Sequence, residues 1–423
     1  MTFTKSATGP KSVLFKTKPA TIILSIKGQG VLLFETNTKA VLTFNNSDKT
    51  DGLIATFSER QITVQRISNK DKFIDPHNLK GVINKSGATY WFSLDAQNQC
   101  LYAGIGEARI ETANYVYQFP HDKSSSANKV FMESLVSIDL AAGITPLRLL
   151  RDPITNITPL LIKDTNSLTM SDIAEGRILP SGNLSPMSQR LYNCVSGDKF
   201  TLNTPDFPDF IQAIEHSIAT PGLWCNKTLK SKEGEFGKSD PAETYLRITL
   251  GQNNGESPGI PYVLEIWPVG HYSPVHNHGG ASAIIRVLNG GINVKLFPFL
   301  CDDKGGIEPH SETNFRVGDI TWISPTLNQV HQLTNLPKNK DTCMTIQCYM
   351  YENEDAAHYD YFDYVDTDGS KKQFEPDSDA DFLRFKDIIR QEWTSRTPTC
   401  SLTCLPWLRD HCSFGLSSRS FTG

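Results

Sequence analysis

Short apolar runs broken by turn residues dominate the first 165 positions. Thr21-Ile22-Ile23-Leu24-Ser25-Ile26 runs into Lys27-Gly28, then come Val31-Leu32-Leu33-Phe34 and Val41-Leu42-Thr43-Phe44, the last ending at Asn45-Asn46. Gln61 to Ile67 alternates apolar and polar residues, the period of a strand with one buried face. Thr89 to Asp95 and Cys100 to Gly104 flank a polar turn and predict a hairpin. Many short strands with little helical period predict a β-sandwich-like N-terminal domain. Tyr90 and Trp91 read as its core. Ala103-Gly104-Ile105-Gly106 carries only two glycines of a nucleotide fingerprint and lies in the hairpin, so it predicts no nucleotide site.

The pattern changes after position 165. Residues 166–204 are rich in Ser, Asn, Gly and Pro and read as a connector. Pro208 to Ile218 reads as a helix, with Phe210, Ile214 and Ile218 on one stripe, Asp206 as its cap and Pro208 in its first turn. Ala380 to Trp393 predicts another helix, with Phe382, Phe385, Ile388 and Ile389 on one side. Strand-like stretches lie between: Thr244 to Leu250, Ala283 to Leu288 and Asp319 to Ser324. Asn289-Gly290-Gly291 after the second predicts a hairpin. Pro325 breaks the third, so a new strand should begin near His331. The acidic and aromatic stretch His358 to Asp368 predicts a lid or a strand. Residues 396–423 predict a disordered tail; Cys400, Cys404, His411 and Cys412 there are poorly spaced for zinc. Four regions result: a β-rich domain over 1–165 of unknown ligand, a connector over 166–204, a second β-rich domain over 205–395, and the tail.

Composition narrows the class. At 423 residues two domains are expected. A net charge of −5 argues against nucleic acid as the main partner, and no apolar run approaches the ~20 residues that span a bilayer. Nine cysteines, an odd number at irregular spacings, fit reduced thiols and a cytoplasmic location. Met1 to Lys5 lacks the apolar core of a signal peptide.

The chemistry concentrates in Gly270-His271-Tyr272-Ser273-Pro274-Val275-His276-Asn277-His278. Residues two apart on a strand share a face, so His276 and His278 set two imidazoles side by side. His331 is a candidate third ligand. His271, before the strand, reads as structural. Neutral imidazole suits Fe, Zn, Ni or Cu, so ligand type alone leaves the metal open. Arg247 lies on the stretch upstream; a guanidinium grips a carboxylate bidentately, which a lysine does less well.

The spacings resemble the two signature motifs of the cupin family. The first reads Gly270, five residues, His276-x-His278, four residues, Ala283, six residues, Gly290; the second reads Gly318, six residues, Pro325, then His331, three residues, Asn335. Within that family the region from about Asp206 to Arg390 resembles the cysteine dioxygenases. The Gly-His-x-Ser-x-x-His-x-His run, Tyr245-Leu246-Arg247, Tyr349, and Ala283 where most metal cupins carry a glutamate ligand all contribute. The resemblance implies a double-stranded β-helix barrel in the C-terminal half. It implies Fe(II) held by His276, His278 and His331. It implies a small thiol, L-cysteine first, oxidised with O2 to its sulfinic acid, the carboxylate held by Arg247 with Tyr245 nearby and Tyr349 hydrogen-bonding in the site. Three departures stand out. Ala283 cannot form the thioether that many animal members carry. Gln347, in Thr345-Ile346-Gln347-Cys348-Tyr349, replaces a titratable relay residue. Met350-Tyr351-Glu352 replaces the family's Ser-Pro-Pro. Alternatives from the same residues are 3-mercaptopropionate or another small thiol as substrate, and a non-catalytic metal-binding sensor; a carbohydrate- or lipid-binding protein led by the N-terminal domain is a third.

Overall fold

The computed structural model describes residues 10–75, 88–120, 122–155, 157–251, 262–301, 307–351 and 361–396. The predicted tail, with its four candidate zinc ligands, and His358 to Asp360 lie outside them.

The N-terminal strands form two six-stranded antiparallel sheets. The first runs in the order Ser12–Leu14, Thr145–Leu150, Gln29–Glu35, Tyr90–Asp95, Cys100–Ile105, Ala113–Gln118. The second runs Thr21–Ile23, Leu135–Leu140, Ala40–Asn46, Gly52–Phe57, Ile62–Arg66, Lys72–Phe73. Alternation sends one side of each strand inward. Phe34 meets Phe57 edge-on at 5.1 Å between centroids, and Phe44 meets Phe92 at 4.8 Å. The predicted hairpin is present, pairing Tyr90 with Ile105 and Asp95 with Cys100. Tyr90–Asp95 is buried on both faces. Tyr90 and Phe92 face the sandwich core, while the chain after Arg151 crosses the other face, where Ile154 N donates to Ser93 Oγ at 3.1 Å.

The glycines of that hairpin are packing notches. A Cβ at Gly104 would lie 2.3 Å from Thr112 O and 2.5 Å from the Trp91 ring, so Gly104→Ala should destabilise the protein by about 1–3 kcal/mol, the usual cost of overpacking. An unchanged urea midpoint would show that both Trp91 and the backbone at Thr112 move aside freely. At Gly106, where φ is +83°, a Cβ would lie 2.1 Å from Pro298 O, because the hairpin abuts the second β unit there. Phe299 and Cys301 of that unit are buried within the sandwich core.

The second unit is a barrel of two sheets. One contains, in order, Ile320–Ile323, Ser282–Asn289, Cys343–Met350 and Tyr262–Trp267; the other contains Ser311–Arg316, Gly291–Phe297, Val330–Thr334 and Val275–His276. The chain passes repeatedly from one sheet to the other. That interleaved order is the jelly-roll topology of a double-stranded β-helix. Asn289-Gly290 therefore does not close a hairpin: Ser282–Asn289 and Gly291–Phe297 belong to different sheets. The turn is a corner. Gly290 has φ +65°, and its Cα packs so near Thr342 that a Cβ would lie 2.8 Å from the Thr342 carbonyl oxygen. The sequence signal for a tight reversal was real, but which strands pair is decided by distant partners.

The stretch read as a connector is largely structured. Ile178–Pro180 pairs in parallel with Leu161–Lys163, which joins the larger barrel sheet through Ile162 and Ile320. Pro186–Val195 is a helix capped by Ser185, whose hydroxyl accepts from Ser188 N. It packs through Leu191 and Val195 on Ile284, Ile346 and Cys348. Three further helices, Phe210–Ala219, Trp224–Ser231 and Phe382–Ser395, share a core with Leu246, Ile248, Leu264 and Ile266. Asp206 does not cap the first of these: it accepts from Thr204 and pairs with Lys386 at 2.9 Å and Arg390 at 3.1 Å. Asn203 Oδ1 takes the Ile211 N–H instead, at 3.0 Å. Phe362–Val365, within the predicted lid or strand, is a strand beside Val275–His276. Helices thus cover one face of the larger sheet and leave the opposite residues facing the barrel interior.

Candidate metal centre

His276 and His331 are direct cross-strand partners, and His278 follows two residues after His276. The ring centroids of the three lie 4.8, 4.8 and 4.5 Å apart. All are buried, at 6%, 1% and 2% exposure. Each offers one nitrogen within 4.8 Å of the others. Carbonyls orient two of the rings: His276 Nδ1 donates to Pro274 O at 3.0 Å and His278 Nδ1 to Gln329 O at 3.2 Å. Nε2 is thereby left as the lone-pair nitrogen. His331 Nε2 is buried without a hydrogen-bond partner among the described residues. Burial lowers the His276 pKa to about 4 and those of His278 and His331 well below the usual value, so all three are neutral near pH 7. Converging neutral imidazoles, with one orphaned nitrogen among them, fit a divalent transition metal.

The same burial predicts a pH dependence for the metal-free protein. The unfolded chain protonates His276 below about 6.5 while the native state resists, so this contribution is present above pH 6.5 and lost as pH falls towards 4. Its full size is about 3 kcal/mol at ~1.4 kcal/mol per pH unit. Glu265, raised to about 7 by burial, acts oppositely and by a similar amount: its contribution is lost as pH rises from 4.5 to 7. His278 and His331 shift with His276 and set the net sign. The urea midpoint should therefore be lower at pH 5 than at pH 7, and His276→Gln should flatten the difference. A midpoint that rises on acidification would place the histidines outside a dry interior.

Other residues share the cavity beside the histidines. Arg247, Glu265 and Thr345 lie opposite one another across three adjacent strands. Tyr349, Gln347 and Thr345 share a face of the last of these. Arg247 is 3% exposed and lines the cavity with His276, His278, Gln347 and Tyr349. Its Nε has no hydrogen-bond partner, and its guanidinium makes no ion pair among the described residues. The main chain is anchored nonetheless: Arg247 N donates to Asp379 Oδ2 at 2.7 Å and Asp379 N to Arg247 O at 2.8 Å. Tyr245 also lines the cavity, stacked on Trp267 at 4.1 Å. His271 lies outside the cavity lining, its Nδ1 donating to Thr244 O at 2.8 Å.

Glu265 and its network were missed by the motif reading. Gln347 Nε2 donates to Glu265 Oε2 and lies 3.3 Å from Thr345 Oγ1, so Oε1 faces Tyr349 and accepts its hydroxyl proton. Tyr349 consequently presents oxygen lone pairs, not its proton, to the cavity. One signal was available: Glu265 is the only charged residue in the otherwise apolar run Tyr262–Trp267. Ala283 pairs directly with Tyr349 and packs in the same buried cluster.

No protein-family model matches the chain. It is similar to a cupin superfamily protein from Desulfitobacterium hafniense, at 12% identity over 26% of this chain and 79% of that one, with a TM-score of 0.19. A cupin 2 domain-containing protein from Halorhodospira halophila aligns at 16% identity over 38% of this chain and 88% of that one, with a TM-score of 0.20. An L-ribose isomerase from Cellulomonas parahominis aligns at 13% identity over 32% and 74%, with a TM-score of 0.23. The strand order, not these likenesses, defines the barrel. Among the described residues no helix is long and apolar enough to cross a membrane.

Proposed function

We propose that the barrel is an iron-dependent thiol dioxygenase that converts L-cysteine and O2 to cysteine sulfinic acid. The observation that carries this is Arg247: a buried guanidinium without an ion-pair partner among the described residues, in the cavity of a three-histidine site. Glu265 on the next strand and the Tyr349 ring, 6.0 Å away, offset this charge only at a distance, and a small carboxylate ligand would pair with it directly. Arg247 would hold that carboxylate bidentately and fix the substrate's orientation. His276, His278 and His331 would hold Fe(II), which supplies the redox chemistry at a coordinated thiol. Tyr349, its own proton held by Gln347, would accept from an N–H of the substrate, which suits an amino thiol. Trp267 and Phe362 help keep water out. The thiol sulfur is oxidised to a sulfinic acid while both atoms of O2 enter the product, so no outside reductant is required.

The test is anaerobic loading with Fe(II), followed by O2 uptake and sulfinate detection with L-cysteine, 3-mercaptopropionate and cysteamine. Stoichiometric O2 and sulfinate from L-cysteine support the proposal. Faster turnover of 3-mercaptopropionate moves the assignment to that substrate. Metal retained without turnover of any of the three thiols leaves a binding or sensor role for the barrel.

A further inference from the structure

The N-terminal sandwich reaches the loop beside the histidine centre through Glu107 and Arg109. Glu107 follows the Cys100–Ile105 strand and approaches the barrel loop ahead of His331. Its two oxygens accept from consecutive backbone N–H groups: Oε2 from Asn328 at 2.8 Å and Oε1 from Gln329 at 2.7 Å. Arg109, 2% exposed, donates from the same hairpin to Asn328 Oδ1 at 2.6 Å. Glu107 N donates to Pro298 O at 2.8 Å, which ties the hairpin to the barrel a second time.

The residues so held are unusual. Asn328 has φ +63° and is 1% exposed. A left-handed residue in a buried loop persists only where its surroundings specify it, and here Asn328 Nδ2 also donates to Trp322 O at 3.0 Å. Gln329 then does three things. Its carbonyl accepts from His278 Nδ1 at 3.2 Å. Its side chain takes Gly280 N and donates to Ala281 O, both at 2.8 Å, fixing the loop just after His278. The strand bearing His331 begins at the next residue, Val330. Moving the backbone at Asn328 and Gln329 would thus turn one histidine and displace another.

We propose that Glu107 is a positioning residue of the histidine centre: the sandwich, through this carboxylate, holds the 328–329 backbone in the form that aims His278 and His331 at a common ion. This assigns the N-terminal domain a part in metal binding, independent of any ligand of its own. It rests on the histidine triad and not on the thiol substrate.

The experiment uses the full chain and Co(II) and Zn(II) as probes, reading affinity by competition and the Co(II) ligand-field spectrum. Glu107→Ala and Glu107→Gln are compared with Leu42→Ala, a sandwich-core change remote from the loop. Glu107→Gln keeps the shape but turns an amide N–H towards a backbone N–H, so it reports even where Glu107→Ala fails to fold. Metal affinity should fall about 10–100-fold in the Glu107 variants, as for other groups that orient metal ligands. The Co(II) spectrum should change, and Leu42→Ala should bind like the wild type. Wild-type affinity and spectrum in Glu107→Gln would overturn the proposal. So would an equal loss in Leu42→Ala, which would reduce the effect to general destabilisation.

Discussion

Replacing His331 by alanine should abolish metal retention. Orienting groups outside the ligand set already contribute about 10–100-fold to metal affinity, so loss of a ligand should weaken binding by more than about 100-fold. The metal-free protein should remain folded. His331 is buried with an unpartnered Nε2, so removing the ring takes away packing and also takes away an unsatisfied polar atom. These effects oppose each other, and the urea midpoint should move by less than about 2 kcal/mol in stability. Metal should raise the melting temperature of the wild type and leave that of His331→Ala unchanged, because only a ligand that binds the native state shifts its unfolding. Elemental analysis after dialysis and paired melting curves measure both. Stoichiometric metal in His331→Ala would remove the histidine centre from consideration, and with it the dioxygenase proposal.

Arg247→Ala should separate substrate binding from metal binding. A bidentate charge-assisted contact is worth about 3 kcal/mol, which corresponds to a loss of roughly 100-fold in substrate affinity. KM for L-cysteine should rise by that order with a smaller change in kcat, since a carboxylate clamp acts on ground state and transition state alike. Arg247→Lys should not restore it, because an ammonium lacks the planar fork. Metal content should be unaffected. The variant should also push the Glu265 carboxyl further up, because Arg247 is the largest influence opposing burial there. If KM is unchanged in Arg247→Ala, the carboxylate of the substrate binds elsewhere. If metal is lost as well, the guanidinium supports the barrel and is no clamp.

The legible and illegible parts of the chain differ in a physical way. Local alternation revealed Tyr90–Asp95 and Cys100–Ile105 as a hairpin, and four-residue spacing placed the Phe210–Ala219 and Phe382–Ser395 helices to within about a turn. Within residues 166–204, Ile178–Pro180 is three residues long, too short to show a period, and becomes a strand only by pairing with Leu161–Lys163 at the edge of the barrel sheet. Asp206 has the chemistry of a cap, but the helix begins at Phe210 with Asp209 at the cap position, and Asp206 pairs instead with Lys386 and Arg390, far along the chain. Glu265 was visible as a charge in an apolar strand, yet nothing nearby in the chain says that it faces Gln347.

Local sequence dictates the β-rich character, the alternation that sends one face of each strand inward, and the spacing that sets His276 and His278 on one side. These follow from dihedral preference and local hydrophobic period, which act over a few residues. Only the closed fold shows that Asn289-Gly290 is a corner between sheets, that Arg247 faces Glu265 across a strand pair without a direct ion pair among the described residues, and that Glu107 of the sandwich holds the 328–329 backbone beside His278 and His331. Such contacts join residues about 20 to over 200 positions apart, and their energies exist only once the sheets have closed and excluded water.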